Sequence, residues 1–458
     1  MINYITRIWT GPDSVNRKIF RAAVVVSALG VVARGGAAVR ELVVAHAFGR
    51  DDALDAYLIA FLVPSFATSL VMNALGTSLI PTFVETRQKK GLESAQALFS
   101  SVLVASLVVL TGIALLLGLT AHWYLPHLAS SFPPAKLHLT EQILYLLLPF
   151  VVFNGISTLV ASVLNAGERF ALPALVPLVT PLVSILFIVL AAVRWGGFAL
   201  AAGAVLGSLL EAMILVPSLK SQGLRLIPEW NGLQPEVRAV FAQYLPMIAG
   251  SFLMSGAGIV DQAMAAMLPS GSVAALSYAN KIVTFFLMVT TPAVAIPVLP
   301  YLSKMATEKD WAGCRHTLKR YSALAWGITL PLTLVLMIFS GPIVRILFQR
   351  GAFTAADTIL VAKVQFFYVL QIPFYVVGAL FLRFLSAVKR NDLLMYGAAG
   401  NLALDIVLNL ILMRYWGIAG IALSTSLVYA FSCAFTIIWS IRILSRERSG
   451  AVNNLQLE

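Results

Sequence analysis

Apolar runs of about twenty residues, separated by short polar stretches, recur from Phe20 to Ile441. Each run is long enough to cross a hydrocarbon core of about 30 Å as a helix. The pattern predicts about twelve spans, at 20–47, 53–84, 97–121, 141–165, 171–193, 197–218, 240–267, 273–302, 320–347, 357–386, 392–413 and 417–441. The runs are continuous, whereas barrel strands alternate apolar and polar positions. Backbone groups in lipid must be satisfied within the segment, which leaves helices. The expected fold class is an all-α polytopic membrane protein.

The pattern also repeats. "LNAGERF" from Leu164 is matched by "LSAVKRN" from Leu385, and "RWGGFALA" from Arg194 by "YWGIAGIA" from Tyr415. Trp195 and Trp416, like Tyr57 and Tyr278, stand 221 positions apart. Each half holds about six spans, an even number, so both halves share one orientation. This predicts two six-helix lobes related by a parallel repeat, with the pseudo-twofold axis along the membrane normal. The expected division is an N-terminal lobe over 1–219, a cytoplasmic linker over 220–238, a C-terminal lobe over 239–445 and a cytoplasmic tail over 446–458.

Composition agrees with a membrane protein: 59% of the 458 residues are hydrophobic and only 11% charged, against about 25% charged in soluble domains. The net charge of +12 then reads as cytoplasmic loops rich in Lys and Arg, not as a nucleic-acid surface. With the N-terminus inside, Arg7, Arg17, Lys18, Arg21, Arg87, Lys89, Lys90, Lys304, Arg315, Lys319, Lys389, Arg390, Arg446 and Arg448 fall on the inner side. The outer side keeps only Arg50, Lys136, Arg194, Arg345, Arg350 and Arg414. Both termini are therefore expected in the cytoplasm. The first residues do not read as a cleavable signal peptide, and Cys314 and Cys433 read as free thiols.

Ionisable residues inside the spans carry the chemistry, because a charge at mid-bilayer costs several kcal/mol and normally faces a bundle interior or wet cavity. The first span carries Arg34, Arg40 and Glu41, the second opens with Asp55, and Glu211, Asp261, Lys281, Lys363 and Asp405 follow. Arg34 and Glu41 share one helix face, with Arg40 turned away from it. These groups either pair and lock helices together or, with Lys281, line a cationic cavity. An arginine fork suits phosphate or diphosphate. In "GNLALDIVLNL" from Gly400, Asn401 and Asp405 lie one turn apart on one face. With Asp261 and Thr425 they offer hard oxygen ligands for sodium or a proton. Interhelical hydrogen bonding is an equal alternative. Glu211 reads as a satisfied helix contact, and His46 as an interfacial or hydrogen-bonded histidine. His122, His127 and His138 lack metal-site spacing. No phosphate-binding loop for ATP hydrolysis and no catalytic triad is present.

These stretches resemble a known family. "ARGGAAVRELVVAHAFG" from Ala33 is similar to the first helix of the MviN/MurJ-type lipid-linked glycan flippases, members of the multidrug/oligosaccharidyl-lipid/polysaccharide exporter superfamily. "LDAYLIAFLVPSF" and "LIPTF" resemble their second helix, "LPSGSVAALSYANK" and "VLPYLSK" their seventh and eighth, and "LFQRGAFTAADT" their ninth-to-tenth connection. The resemblance implies a bacterial cytoplasmic-membrane transporter, not an enzyme, that carries a polyprenyl-diphosphate-linked saccharide outward by alternating access. It implies that Arg34, Arg40, Asp55 and Lys281 line the substrate cavity, and that Asp261, Asn401 and Asp405 match the sodium site that some members have. No other cofactor and no nucleic acid is expected, and the protein is expected to act as a monomer. The chain departs from the peptidoglycan-precursor flippases at Thr68, Ser69 and Asn73, where arginines and a glutamate are usual, and at Thr284, where an acid is usual. It also ends after about twelve spans, where those proteins have two more. A cation-coupled multidrug exporter and an exopolysaccharide or O-antigen flippase share the expected fold. A membrane glycosyltransferase or ligase and an envelope scaffold are alternatives from other classes.

Overall fold

The computed structural model describes residues 15–232, 234–295 and 298–455. The basic N-terminal positions Arg7, Arg17, Lys18 and Arg21 and the tail cations Arg446 and Arg448 lie outside the described side chains.

The helices, in chain order, are α1 (Val15–Phe48), α2 (Asp52–Leu128), α3 (Pro134–Ala166), α4 (Ala171–Leu175) and, after the 3-10 turn Val176–Leu178, α5 (Val179–Trp195). Next come α6 (Gly197–Leu215), α7 (Pro235–Ala265), α8 (Ser272–Ala295), α9 (Val298–Thr307), α10 (Trp311–Ile338) and α11 (Ser340–Phe348). The last are α12 (Ala355–Tyr368), α13 (Gln371–Ala387), α14 (Asn391–Trp416) and α15 (Ile418–Leu455). Among the described residues the twelve predicted apolar segments fall almost wholly on helix, and no strand occurs there. Eight helical stretches there are long and apolar enough to cross a membrane. The chain is an all-α polytopic membrane protein.

The 77 residues of α2 would run about 115 Å if straight, far beyond one bilayer. Gly91, at φ 85° and ψ −177°, interrupts them. That backbone region is open essentially to glycine alone. Leu75, Leu79 and Phe83 before it share one core with Leu98, Phe99 and Val102 after it, so the two arms pack on each other.

Two compact units result. One takes the stretches up to Ala47, Ala56–His127 and Pro133–Ser251; the other takes Phe48–Asp55, Leu128–Phe132 and everything from Phe252 on. In the first unit, α5 and α6 meet backbone to backbone. A Cβ added at Gly203 would lie 2.7 Å from Ser184 Cα, and one at Gly207 2.6 Å from Thr180 Cα. Small residues four apart permit this approach between membrane helices. The polar stretch after Leu219 is tied to the same unit: Gln96 both donates to the Arg225 carbonyl and accepts from its N–H, each at 2.9 Å. Lys90 pairs with Glu236 close by, which holds the Glu236 carboxyl below its ordinary range.

In the second unit, Val376, Leu380 and Phe384 of α13 pack against Leu318 of α10 and Leu302 of α9. Arg50 is neutralised by Asp357 at 2.6 Å, inside a capping box with Thr354. The sequence repeat recurs in each unit's own backbone. Gly196 (φ 50°, ψ −130°) joins α5 to α6, and Gly417 (φ 57°, ψ −133°), 221 positions on, joins α14 to α15.

Candidate transport sites in the two units

Within the first unit, α1, α2, α3, α5 and α6 surround a cavity of about 420 Å³. Arg40 reaches its wall. The guanidinium donates to Glu41 Oε1 at 2.9 Å and to the Tyr57 hydroxyl at 3.2 Å, while its buried Nε has no partner. Phe61 and Phe150 close one side edge to face, 4.9 Å apart. Asn154, Ser157, Thr158, Thr180, Ser184 and Glu211 supply the polar lining. Arg40 thus pairs with Glu41, its neighbour on α1, and still faces a cavity. Arg34 is exposed and makes no hydrogen bond or ion pair among the described residues. A guanidinium with a free donor beside hydroxyl and amide groups suits an anionic, hydroxyl-rich ligand.

The second unit brings Asp261, Asp405 and Thr425 together. Asp261, on α7, accepts from Asn409 Nδ2 at 2.7 Å and from the Thr425 hydroxyl at 2.9 Å. The Asp261 and Asp405 carboxyls lie close enough to feel each other's charge. Asn401 donates to Ser432 Oγ at 3.1 Å. Three buried oxygens on one face of α14 have no hydrogen-bond partner: Asn401 Oδ1, Asp405 Oδ2 and Asn409 Oδ1. Unpaired oxygens are costly in a buried place. A set of two carboxylates, two amides and a hydroxyl, with acceptors to spare, fits a small hard cation. Among the described residues no group of three or more His, Cys, Asp and Glu is placed to hold a metal.

Asp55 is placed elsewhere in chemical terms. It is buried, and its oxygens accept from the N–H groups of Gly271 at 2.7 Å and Ala274 at 2.8 Å, which caps the start of α8. This gives its carboxylate a structural task within the second unit. Replacing Asp55 with alanine should leave two buried N–H groups unmet, at about 1–3 kcal/mol each. A thermal unfolding scan in detergent should show the loss, with asparagine recovering part of it. Lys281, also in the second unit, is half-buried with its ammonium 6.0 Å from the centre of the Tyr278 ring. His122 and His138 line a separate cavity of about 200 Å³ with Glu141. Lys363 and His46 are exposed.

Sequence reasoning passed over Asn409 and Ser184. Asn409 was legible, one turn beyond Asp405 in the same "GNLALDIVLNL" run. Ser184 gave no signal of its own.

The comparisons with known proteins agree on one family. Residues 44–453 match the family described as Lipid II flippase MurJ. The probable lipid II flippase MurJ of Synechocystis sp. is 25% identical over 448 residues, covering 95% of this chain and 83% of that protein. The lipid II flippase MurJ of Burkholderia cenocepacia is 28% identical over 369 residues, covering 75% and 69%. Among solved structures, a lipid II flippase MurJ in an inward closed conformation aligns with a TM-score of 0.78 at 21% identity, covering 95% of this chain and 92% of that one. An inward-facing multidrug transporter of the MATE family aligns at 0.72 and 14% identity, covering 93% and 99%. The two structural likenesses show the fold alone, and the family is shown by the match over residues 44–453. Since that match leaves out only the chain's two ends, the chain belongs to the lipid II flippase MurJ family, a family of bacterial membrane transporters and not of enzymes.

Proposed function

We propose that this protein translocates lipid II, a polyprenyl-diphosphate-linked peptidoglycan precursor, across the bacterial cytoplasmic membrane by alternating access, with both termini in the cytoplasm. The observation that carries the reading is Arg40, a guanidinium held by Glu41 and Tyr57 at the wall of a polar cavity, in a chain of this family. Arg40, with Arg34 on the same helix, binds the diphosphate in the first unit by charge-assisted hydrogen bonds, which in a low-dielectric site outweigh their exposed equivalents. Lys281 is a further substrate-binding cation of the second unit, and Asp55 supports it by fixing the start of the helix that carries it. Asp261, Asn401, Asp405 and Thr425, joined by Asn409, hold sodium, which supplies the charge that lets two carboxylates share one buried place. The same-fold drug exporters are the second reading, and the arginine in this cavity disfavours their cationic cargo.

Native mass spectrometry of gently extracted protein tests the substrate class. A bound polyprenyl-diphosphate saccharide with the mass of lipid II is expected. A different glycan mass would assign another lipid-linked saccharide. Retention of ordinary phospholipid alone, equal in an Arg34→Ala/Arg40→Ala variant, would overturn the diphosphate site.

A further inference from the structure

We propose that Glu211, on α6 inside the first unit, is a reversible proton carrier, and that the cavity it lines is a proton site separate from the cation cluster of the second unit.

Glu211 is 7% exposed, and its Oε1 accepts one hydrogen bond, from the Thr180 N–H at 3.2 Å. It sits one turn beyond Gly207 on the face that meets α5, so the close helix approach at Gly203 and Gly207 delivers it to the cavity wall. A lone carboxylate so placed in a membrane helix is expensive to keep charged. Beside it in the lining stands Ser184, fully buried, whose hydroxyl has no hydrogen-bond partner.

The register of the repeat adds an independent observation. Asp261, Asn401, Asp405 and Ser432 stand 221 positions after Arg40, Thr180, Ser184 and Glu211. The bonded pair Thr180–Glu211 is matched by the bonded pair Asn401–Ser432. Each unit therefore places an ionisable polar cluster at the same helix positions, with the charges redistributed.

Arg40 decides which cation the first cluster takes. A metal ion in the same cavity would meet a guanidinium at low dielectric, a strongly repulsive arrangement. A proton bonds covalently to the carboxylate oxygen and only neutralises it. It is taken from solvent on to Glu211 and returned there, and no other bond changes. The titratable groups facing the cavity besides Glu211 are Arg40, paired with Glu41, and Tyr57. The helices packed on α6 present Asn154, Ser157 and Thr158 from α3 and Thr180 and Ser184 from α5. Their charged or titratable residues Lys136, His138, Glu141, Tyr145 and Arg194, and Lys220 beyond α6, do not line it. Protonation raises the cavity's charge by one, so proton and anion bind cooperatively, and each strengthens the other by the same factor. This last step rests on the Arg40 reading above; the protonation itself does not.

Infrared difference spectroscopy of the full chain in lipid nanodiscs, titrated with pH, reads the carboxyl directly. The wild type is expected to show a carboxylic C=O band that fades as pH rises, and Glu211→Gln to lack it. Identical titrations in the two proteins would overturn the proposal. Glu211→Asp keeps the test decisive if the glutamine variant does not fold: its band should titrate at a displaced midpoint, and an undisplaced one would assign the band elsewhere. In Arg40→Ala the band should persist to higher pH, since a nearby cation no longer favours the carboxylate. An unmoved band there would overturn the coupling to anion binding while leaving the proton site standing.

Discussion

Replacing Arg34 and Arg40 together with alanine should reduce lipid II translocation at least about 30-fold in a liposome assay, with the protein still folded and inserted. The size follows from the chemistry. Truncating one partner of a buried, hydrogen-bonded charge pair costs about 2–5 kcal/mol, and about 1.4 kcal/mol is a factor of ten. Arg40 should account for most of the loss, because it alone of the two lines the cavity of the first unit. Arg40→Lys separates charge from shape. Lysine keeps the charge but loses the planar fork that reaches Glu41 and Tyr57 while leaving Nε to donate. Its activity should fall between wild type and alanine. Folding should survive because Arg40's protein partners are two hydroxyl- or carboxylate-bearing side chains, not backbone in a core. Full transport by the double variant would remove the arginines from the substrate path.

The helical architecture was legible because it is written in run length. Among the described residues the predicted apolar segments lie almost wholly on helix, and the repeat read from Trp195 and Trp416 reappears as matching left-handed glycines one residue later. The helix break at Gly91 was legible only as a polar gap, since a single φ value does the turning. Side-chain roles were harder. Asp55 is assigned to the substrate cavity by the family resemblance, and sequence carries no sign of the task seen in the structure. The N–H groups of Gly271 and Ala274 that it accepts from lie more than two hundred positions away. In sequence Glu211 reads as a satisfied contact, and it does accept one hydrogen bond. What sequence could not convey is the cavity beside it, which depends on how closely Gly203 and Gly207 let α5 approach. Asn401, Asp405 and Asn409 share a spacing of four, and the first two were picked out from it; the third needed its contact with Asp261 to gain meaning.

Substituting Asp261 and Asp405 together with asparagine should abolish stabilisation by sodium and lower transport with it. In the wild type, exchanging potassium for sodium should raise the unfolding temperature, because a ligand bound only to the folded state stabilises it by about 2.7 kcal/mol at one hundred times its Kd. The effect should vanish in the double variant for an electrostatic reason. Two neighbouring buried carboxyls that feel each other's charge repel unless a cation or a proton lies with them. Asparagines remove the repulsion and the ion's reason to bind, while still offering oxygens to the Thr425 hydroxyl and the Asn409 amide. The doubly substituted protein should therefore be folded, and no less stable than wild type in potassium. Asn409→Ala gives the graded case. It frees Asp261 Oδ1 without removing a charge, and loss of such an orienting partner typically weakens metal affinity about 10- to 100-fold. Sodium should still stabilise that variant, but only at correspondingly higher concentration. Equal sodium stabilisation of wild type and the Asp261→Asn/Asp405→Asn protein would show that the cluster is held by interhelical hydrogen bonds and that the ion binds elsewhere.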